Sequence, residues 1–441
     1  MRRIVSVAAA IVLGAGLAVP ATGAPETRDV KSDTIKRLAQ VPIKGAQGKA
    51  NGSDLAFQGD LLVAGTYDGL GLFRILRGKP YLNQLSFFDC PGSQGDVSVY
   101  GDYVFYSIDS TGSNQGTGGQ CNNTDDSALK EGIRIIDISN VREPRQVKFV
   151  ETECGSHTHT MLPRGNNVYI YVLSYPIVQE PACNVASHRK ISVIKVPVNN
   201  PAKAKIVSTP GVATTIGCHD VTVFPSKDLA AAACISEGQM WDISDPANPE
   251  IIARIYNPSI NIWHSGAITW DGKYAVFGDE FLGSITGTCT GPQQNSIGAM
   301  WFYDISDPTT PLLAGYYGVP RAHPVPSGPD EAAYLKCTTH NYNLLPMRDG
   351  NRYLATVGLR SSGMTVVDFT DPTSPQEIAY FQDGQTLPDT WSAYWYNGRV
   401  YTNDNASLLG IGVFEVKGTG ADQVRYFEKR MNPQTQIKDL R

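Results

Sequence analysis

The sequence predicts an all-β protein: a seven-bladed β-propeller built of four-stranded antiparallel blades. Three observations predict it. One phrase recurs along the chain, its copies are spaced by about one propeller blade, and hairpins stand ahead of copies of the phrase. The phrase reads IRIIDISNVREPRQVKFV at 133–150, QMWDISDPANPEIIARIY at 239–256, MWFYDISDPTTPLLAGYY at 300–317 and MTVVDFTDPTSPQEIAYF at 364–381. Each copy is an apolar strand, an Asp-led polar entry, a Pro-bearing turn and a second strand. Asp or Asn before Pro initiates turns, and Pro cannot donate to a strand ladder, so this punctuation belongs between strands. Weaker copies occupy 70–88, 191–208 and 411–428. Aligned on the residue after the first strand, the copies place Arg74, Asp137, Lys195, Asp242, Asp304, Asp368 and Glu415 in register, 47 to 64 residues apart.

The other two strands of each unit come first. DLAFQGDLLVAGT (54–66), DVSVYGDYVFYSI (96–108), GAITWDGKYAVFGD (266–279) and SAYWYNGRVYTND (392–404) are pairs of strand-like runs around tight polar turns. The propeller is assigned to 51–430 as a single domain, with 431–441 as a C-terminal tail. Two segments compete to complete the last blade: TIKRLAQVPI at 34–43, within the N-terminal segment 22–50, and ADQVRYFEK at 421–429. The N-terminal segment is favoured, since propellers often close their ring with it.

Composition supports a turn-rich globular chain. Of 441 residues, 41% are hydrophobic and 18% charged, with 43 Gly and 28 Pro. The net charge is −5 and there is no long basic cluster, so a nucleic-acid partner is not expected. Residues 1–21 read as a signal peptide: Arg2 and Arg3, an apolar core at 4–19, then small residues for cleavage. The mature chain is expected to be secreted or extracytoplasmic, without a membrane span, and monomeric. The twin arginine does not identify the export route. Eight cysteines in an exported chain fit four disulfides, and nearest-neighbour pairing would be 90–121, 154–183, 218–234 and 289–337. Sequence leaves that connectivity open.

The phrase of apolar strand, Asp, small residues and Pro-x-x-Pro resembles the LVIVD repeat of bacterial exported propellers, over roughly 50–430. More distantly, it is similar to repeats of the selenium-binding-protein and methanethiol-oxidase propellers. These resemblances imply the propeller. The second group is associated with copper and sulfur chemistry, but no cysteine motif here carries that over. A fold of this kind hosts many functions.

The histidines carry the functional expectation. Four of the seven precede an inner strand at one offset: His157 in HTHTMLP, His219 in HDVTVFP, His264 in HSGAITW and His340 in HNYNLLP. They come from four successive units, where the other units hold Gly52, Gln94 and Trp391. That position lies at the mouth of the axial channel, so four imidazoles are expected to face one funnel. His157, His219, His264 and His340 are therefore the candidate metal-binding and catalytic residues. Imidazole is the commonest transition-metal ligand, and copper, iron or zinc would suit such a set. The loops after the second strands bring Asp68, Asp109, Glu237, Asp279, Glu280 and Asp404 to the same face. Asp220, Asp279 and Glu280 are candidates to orient the rings, with His159, Glu237 and Trp391 as further residues of the mouth. His188 and His323 receive no role. Four histidines on separate blades around iron is also the carotenoid-oxygenase arrangement, an analogy of architecture without a shared motif. The alternative is that a repeat duplicates structural residues, and each ring merely bonds its neighbour's backbone.

The function expected is a metal-dependent enzyme, an oxidoreductase ahead of a hydrolase, acting on a small organic molecule. Oxidoreductase comes first because no carboxylate is fixed by sequence among the ligands. The competing readings are a non-catalytic extracellular propeller that binds protein or glycan, and a metal-free lyase or hydrolase using His and Asp/Glu as acid and base.

Overall fold

The structure is a computed structural model. It describes residues 29–441 apart from 93, 110–119, 122–130, 177–182, 213, 282–295, 322–336, 385–388, 406–408, 419 and 421–422. The expected signal peptide, Cys289, His323 and much of the long loops lie outside the described residues.

The chain forms a β-propeller of antiparallel sheets. Its first sheet contains Gly52–Gln58, Leu61–Thr66, Gly69–Ile75 and Leu82–Asp89. The second runs from Val97–Tyr100 to Arg145–Glu151, the third from Thr158–Arg164 to Lys205–Ser208, the fourth from Asp220–Phe224 to Glu250–Ile255, and the fifth from Trp263–Ile268 to Leu312–Tyr317. Each has its four strands paired in chain order. Inner strands such as Asp220–Phe224 are buried on both faces, whereas outer strands such as Glu250–Ile255 are partly exposed. Besides a two-stranded ribbon of Lys44–Gly45 and Gly48–Lys49, the remaining sheet has nine strands. Asn341–Leu344 and Thr390–Tyr396, each the inner strand of a four-stranded unit, pair in parallel and fuse the two units.

The recurring phrase makes the turn between third and fourth strands. Asp137, Asp242, Asp304 and Asp368 each accept the backbone N–H two residues on, at 2.8–3.0 Å. Asp245, Asp307 and Asp371, just before the prolines, do the same one step later. These are Asx turns, the local reason for Asp at both places. A β-bulge recurs just ahead of the first aspartate, between Ile135 and Ile136, Met240 and Trp241, Phe302 and Tyr303, and Val366 and Val367. The extra residue sharpens the strand's twist as it leaves the core.

Apolar side chains fill the space between neighbouring sheets. Phe224, Ala231 and Met240 of the fourth meet Trp263, Phe277 and Trp301 of the fifth. The ring closes through the N-terminal strand Ile35–Val41, which pairs antiparallel with Ile411–Val416. Of the rival segment 421–429, the described residues 423–429 do not take that place. The C-terminal segment packs onto the propeller. Arg430–Met431 pairs with Phe57 and Gln58, and residues 431–436 are buried. Asn432 bonds both backbone groups of Val99, Thr435 Oγ1 donates to the Met161 carbonyl, and Gln436 bonds both backbone groups of Ile268. This segment thus crosses the channel at the far ends of the inner strands. Its residues are polar, and their partners are backbone groups that only the closed ring presents.

Three disulfides join Cys90 to Cys121, Cys154 to Cys183 and Cys218 to Cys234, as nearest-neighbour pairing predicts. Cys337 is also disulfide-bonded. Such bonds belong to an oxidising environment. Among the described residues, no helix is long and apolar enough to cross a membrane.

Candidate metal centre

His157, His219, His264 and His340 start the inner strands of consecutive units. Three of them donate their backbone N–H to the end of the adjacent strand: His157 to Leu173, His219 to Ala233 and His340 to Gly358. His264 sits at a bulge between Trp263 and Ser265. The shared register sends all four rings the same way. His157 and His219 have ring centroids 4.6 Å apart, His219 and His264 3.8 Å, and His264 and His340 4.2 Å. The rings form a continuous arc, and none is more than 4% exposed.

Their nitrogens are differently occupied. His340 Nδ1 lies 2.6 Å from the Trp391 carbonyl. A carbonyl only accepts, so Nδ1 carries the proton and Nε2 of the neutral ring keeps its lone pair. His157 Nδ1 is 2.5 Å from Asp109 Oδ2, and its Nε2 is 3.0 Å from His219 Nε2. That short contact needs a proton or a metal between the two rings. Burial opposes charge on His157, but Asp109, with Asp220 and Glu280, more than offsets it and raises the pKa. His219 Nδ1 stands 3.5 Å from Asp220 Oδ1. His264 is the exception: it is fully buried, and neither ring nitrogen has a hydrogen-bond partner. Burial, then the neighbouring imidazoles, hold its pKa well below the usual range. Burial and Arg360 do the same to His340.

Carboxylates complete the donors. Glu280 places one oxygen 3.5 Å from His264 Nε2 and the other 3.5 Å from His340 Nε2. Two groups have ligand atoms all within 4.8 Å of one another: His219, Asp220 and His264, and His264, Glu280 and His340. A third such group, Cys154, Cys183 and His188, is spent, because its sulfurs are in a disulfide. The structure therefore contains His and carboxylate clusters able to hold a metal ion.

The other sequence candidates divide. Trp391 ends the arc, its ring 4.4 Å from His340. Asp279 accepts the backbone N–H groups of Asn261, Ile262 and Gly298 and braces the loop, with burial lifting its pKa to about 6. Glu237 accepts from Gln239 Nε2 at 2.7 Å. His159 points along the channel, bonded to Ser98 and Ser107 and paired with Asp96 at 3.1 Å. Asp96 in turn bonds Asp54, a buried acid whose pKa burial and Asp96 push well up. Sequence reading missed this network, and it missed Arg360. Arg360 lies 3.4 Å from Glu280, 2.9 Å from Asp389 and over the Trp391 ring. Nothing in the GLRSSG stretch around it marks it out. Tyr67 and Tyr175 also close on the site. Tyr175 lies 4.7 Å from His157, and burial pushes the Tyr67 hydroxyl up to about 12.

No family model and no curated protein matches the chain. Among solved structures it is similar to the Cps50 (Swd1) β-propeller domain of Myceliophteria thermophila, at 10% identity and a TM-score of 0.49, over 88% of this chain and 100% of that one.

Proposed function

We propose that this chain is an exported metal-dependent enzyme with its centre on the histidine arc at the channel mouth. The observation that carries the proposal is His264. A buried neutral imidazole with two unbonded nitrogens forgoes the hydrogen bonds that buried polar groups normally make, at a cost of about 1–3 kcal/mol. A metal ion bound to one of these nitrogens removes part of that cost. The fixed Nδ1 of His340 and the Asp109 contact of His157 leave Nε2 turned toward the arc, as in carboxylate- or carbonyl-braced metal histidines.

We read the ring as seven blades, taking the nine-stranded sheet as two, and the repeat as of the LVIVD type. We read the first 21 residues as the export signal, consistent with the disulfides. The substrate class is a small organic molecule, since the arc is walled by Trp391, Tyr67 and Tyr175 and the channel is stoppered below. Oxidoreductase is the first choice of class: two histidines and a carboxylate suit iron, and added histidines suit copper. Glu280 favours a second reading. With Glu280 beside His264 and His340, the donors also match a hydrolytic zinc site of two His and one Glu, so the absence of a carboxylate no longer argues against hydrolysis.

The test is metal content of the full chain recovered from an oxidising compartment, beside His219→Ala/His264→Ala. A bound transition metal that disappears in the folded variant supports the proposal, and copper or iron with oxygen uptake supports the redox class. Zinc with hydrolysis supports the second reading. A chain that takes up no metal, even after reconstitution, is a binding propeller or a metal-free enzyme.

A further inference from the structure

The arc is longer than one ion can use. Metal–nitrogen bonds are about 2.0–2.1 Å, so any two ligand atoms on one ion lie within about 4.2 Å. Among the described residues, the donors fall into two groups that satisfy even a 4.8 Å limit, and they share His264 alone. Neither contains both His219 and His340. His157 falls in neither group, although its Nε2 is 3.0 Å from His219 Nε2.

We propose that the arc holds two transition-metal ions. One lies between His219 and Asp220, the other between Glu280 and His340, and His264 stands at the shared corner. This rests on the metal reading above. His264 has two unbonded nitrogens and is the one residue that belongs to both donor groups. It gives one nitrogen to each ion, releasing its ring proton to solvent. That arrangement satisfies both nitrogens, whereas a single ion leaves one of them bare. Two positive ions also account for the anions gathered at the arc. Asp220 Oδ1 is buried without a hydrogen-bond partner, and Glu280 and Asp109 line the same rings.

The experiment counts ions. The full chain is loaded with copper(II) alone, or zinc(II) alone, freed of excess by gel filtration and measured by ICP-MS. Two ions per chain are expected, with the copper form showing the broadened, spin-coupled EPR spectrum of neighbouring Cu(II) ions. Glu280→Gln/His340→Ala and His219→Ala/Asp220→Asn should each retain one ion, with an isolated Cu(II) spectrum. Circular dichroism checks that each variant is folded. Should a double variant not fold, Glu280→Gln alone and the wild-type EPR spectrum decide. One ion per chain, lost equally on cutting either group, overturns the two-ion centre and leaves the metal reading standing. No ion in the wild type overturns the metal reading itself, and this one with it.

Discussion

Asp109 shows what a residue outside the arc does for it. Its carboxylate grips His157 Nδ1 at 2.5 Å and so aims Nε2 at His219. Loss of a brace of this kind typically weakens metal binding 10–100-fold. Asp109→Asn is therefore expected to bind metal about 10-fold more weakly or worse, with an unchanged melting temperature before metal is added; competition titration against a chelating dye reads it. Glu280 has a second partner in Arg360, at 3.4 Å. Arg360 is positioned by Asp389 and by the face of Trp391. It holds the carboxylate between two rings that burial keeps neutral.

At the scale of the element, each arc histidine depends on how its strand begins. Cys218 precedes His219, and its disulfide to Cys234 ties that start to the end of the neighbouring strand Leu229–Ala233. The bridged residues are 16 apart, and closing such a loop is worth ~3 kcal/mol. Cys218→Ser/Cys234→Ser should lower stability by about that much in urea unfolding, and should weaken metal binding as His219 loses its anchor. The Asx turns give a pH-dependent prediction. The hydrogen bond from Ser306 holds the Asp304 carboxyl below its usual pKa. A depressed acid contributes stability above its unfolded pKa and loses it as pH falls through the folded value. Asp304→Ala should cost about 1 kcal/mol at neutral pH. Denaturation midpoints should show that gap closing below about pH 4, where the wild-type carboxyl takes up its proton.

At the scale of the molecule, both termini close the ring. The N-terminal strand completes the nine-stranded sheet, and the C-terminal segment stoppers the channel. Gln434 also donates to Asp54 at 3.1 Å, so the stopper reaches the buried acids beneath the arc. Deleting residues 430–441 should cost on the order of 3 kcal/mol or more, from several buried hydrogen bonds. Thermal unfolding measures the loss. Metal content below the melting range should survive, because the arc lies at the opposite ends of the inner strands. Simultaneous loss of metal in a folded truncated chain would mean that the stopper supports the centre itself.

The sequence by itself determined the repeat, the turns and the shared register of four histidines, because these are local. An Asx turn needs only Asp and the next few residues, a strand announces itself by alternation, and equal offsets in repeated units bring equal positions to one end of a ring. Tertiary structure alone decided the rest. The sequence places Asp279 and Glu280 side by side and cannot say which reaches the rings. In the fold Asp279 binds three backbone N–H groups and Glu280 spans His264 and His340. Arg360, the Asp54–Asp96–His159 network and the stopper at 432–436 were likewise illegible. Their partners are tens to hundreds of residues away or are backbone groups, and neither leaves a pattern in a linear chain. Even the arc depends on closure, since four histidines at one offset become neighbours only when packing between sheets sets the angle from each strand to the next.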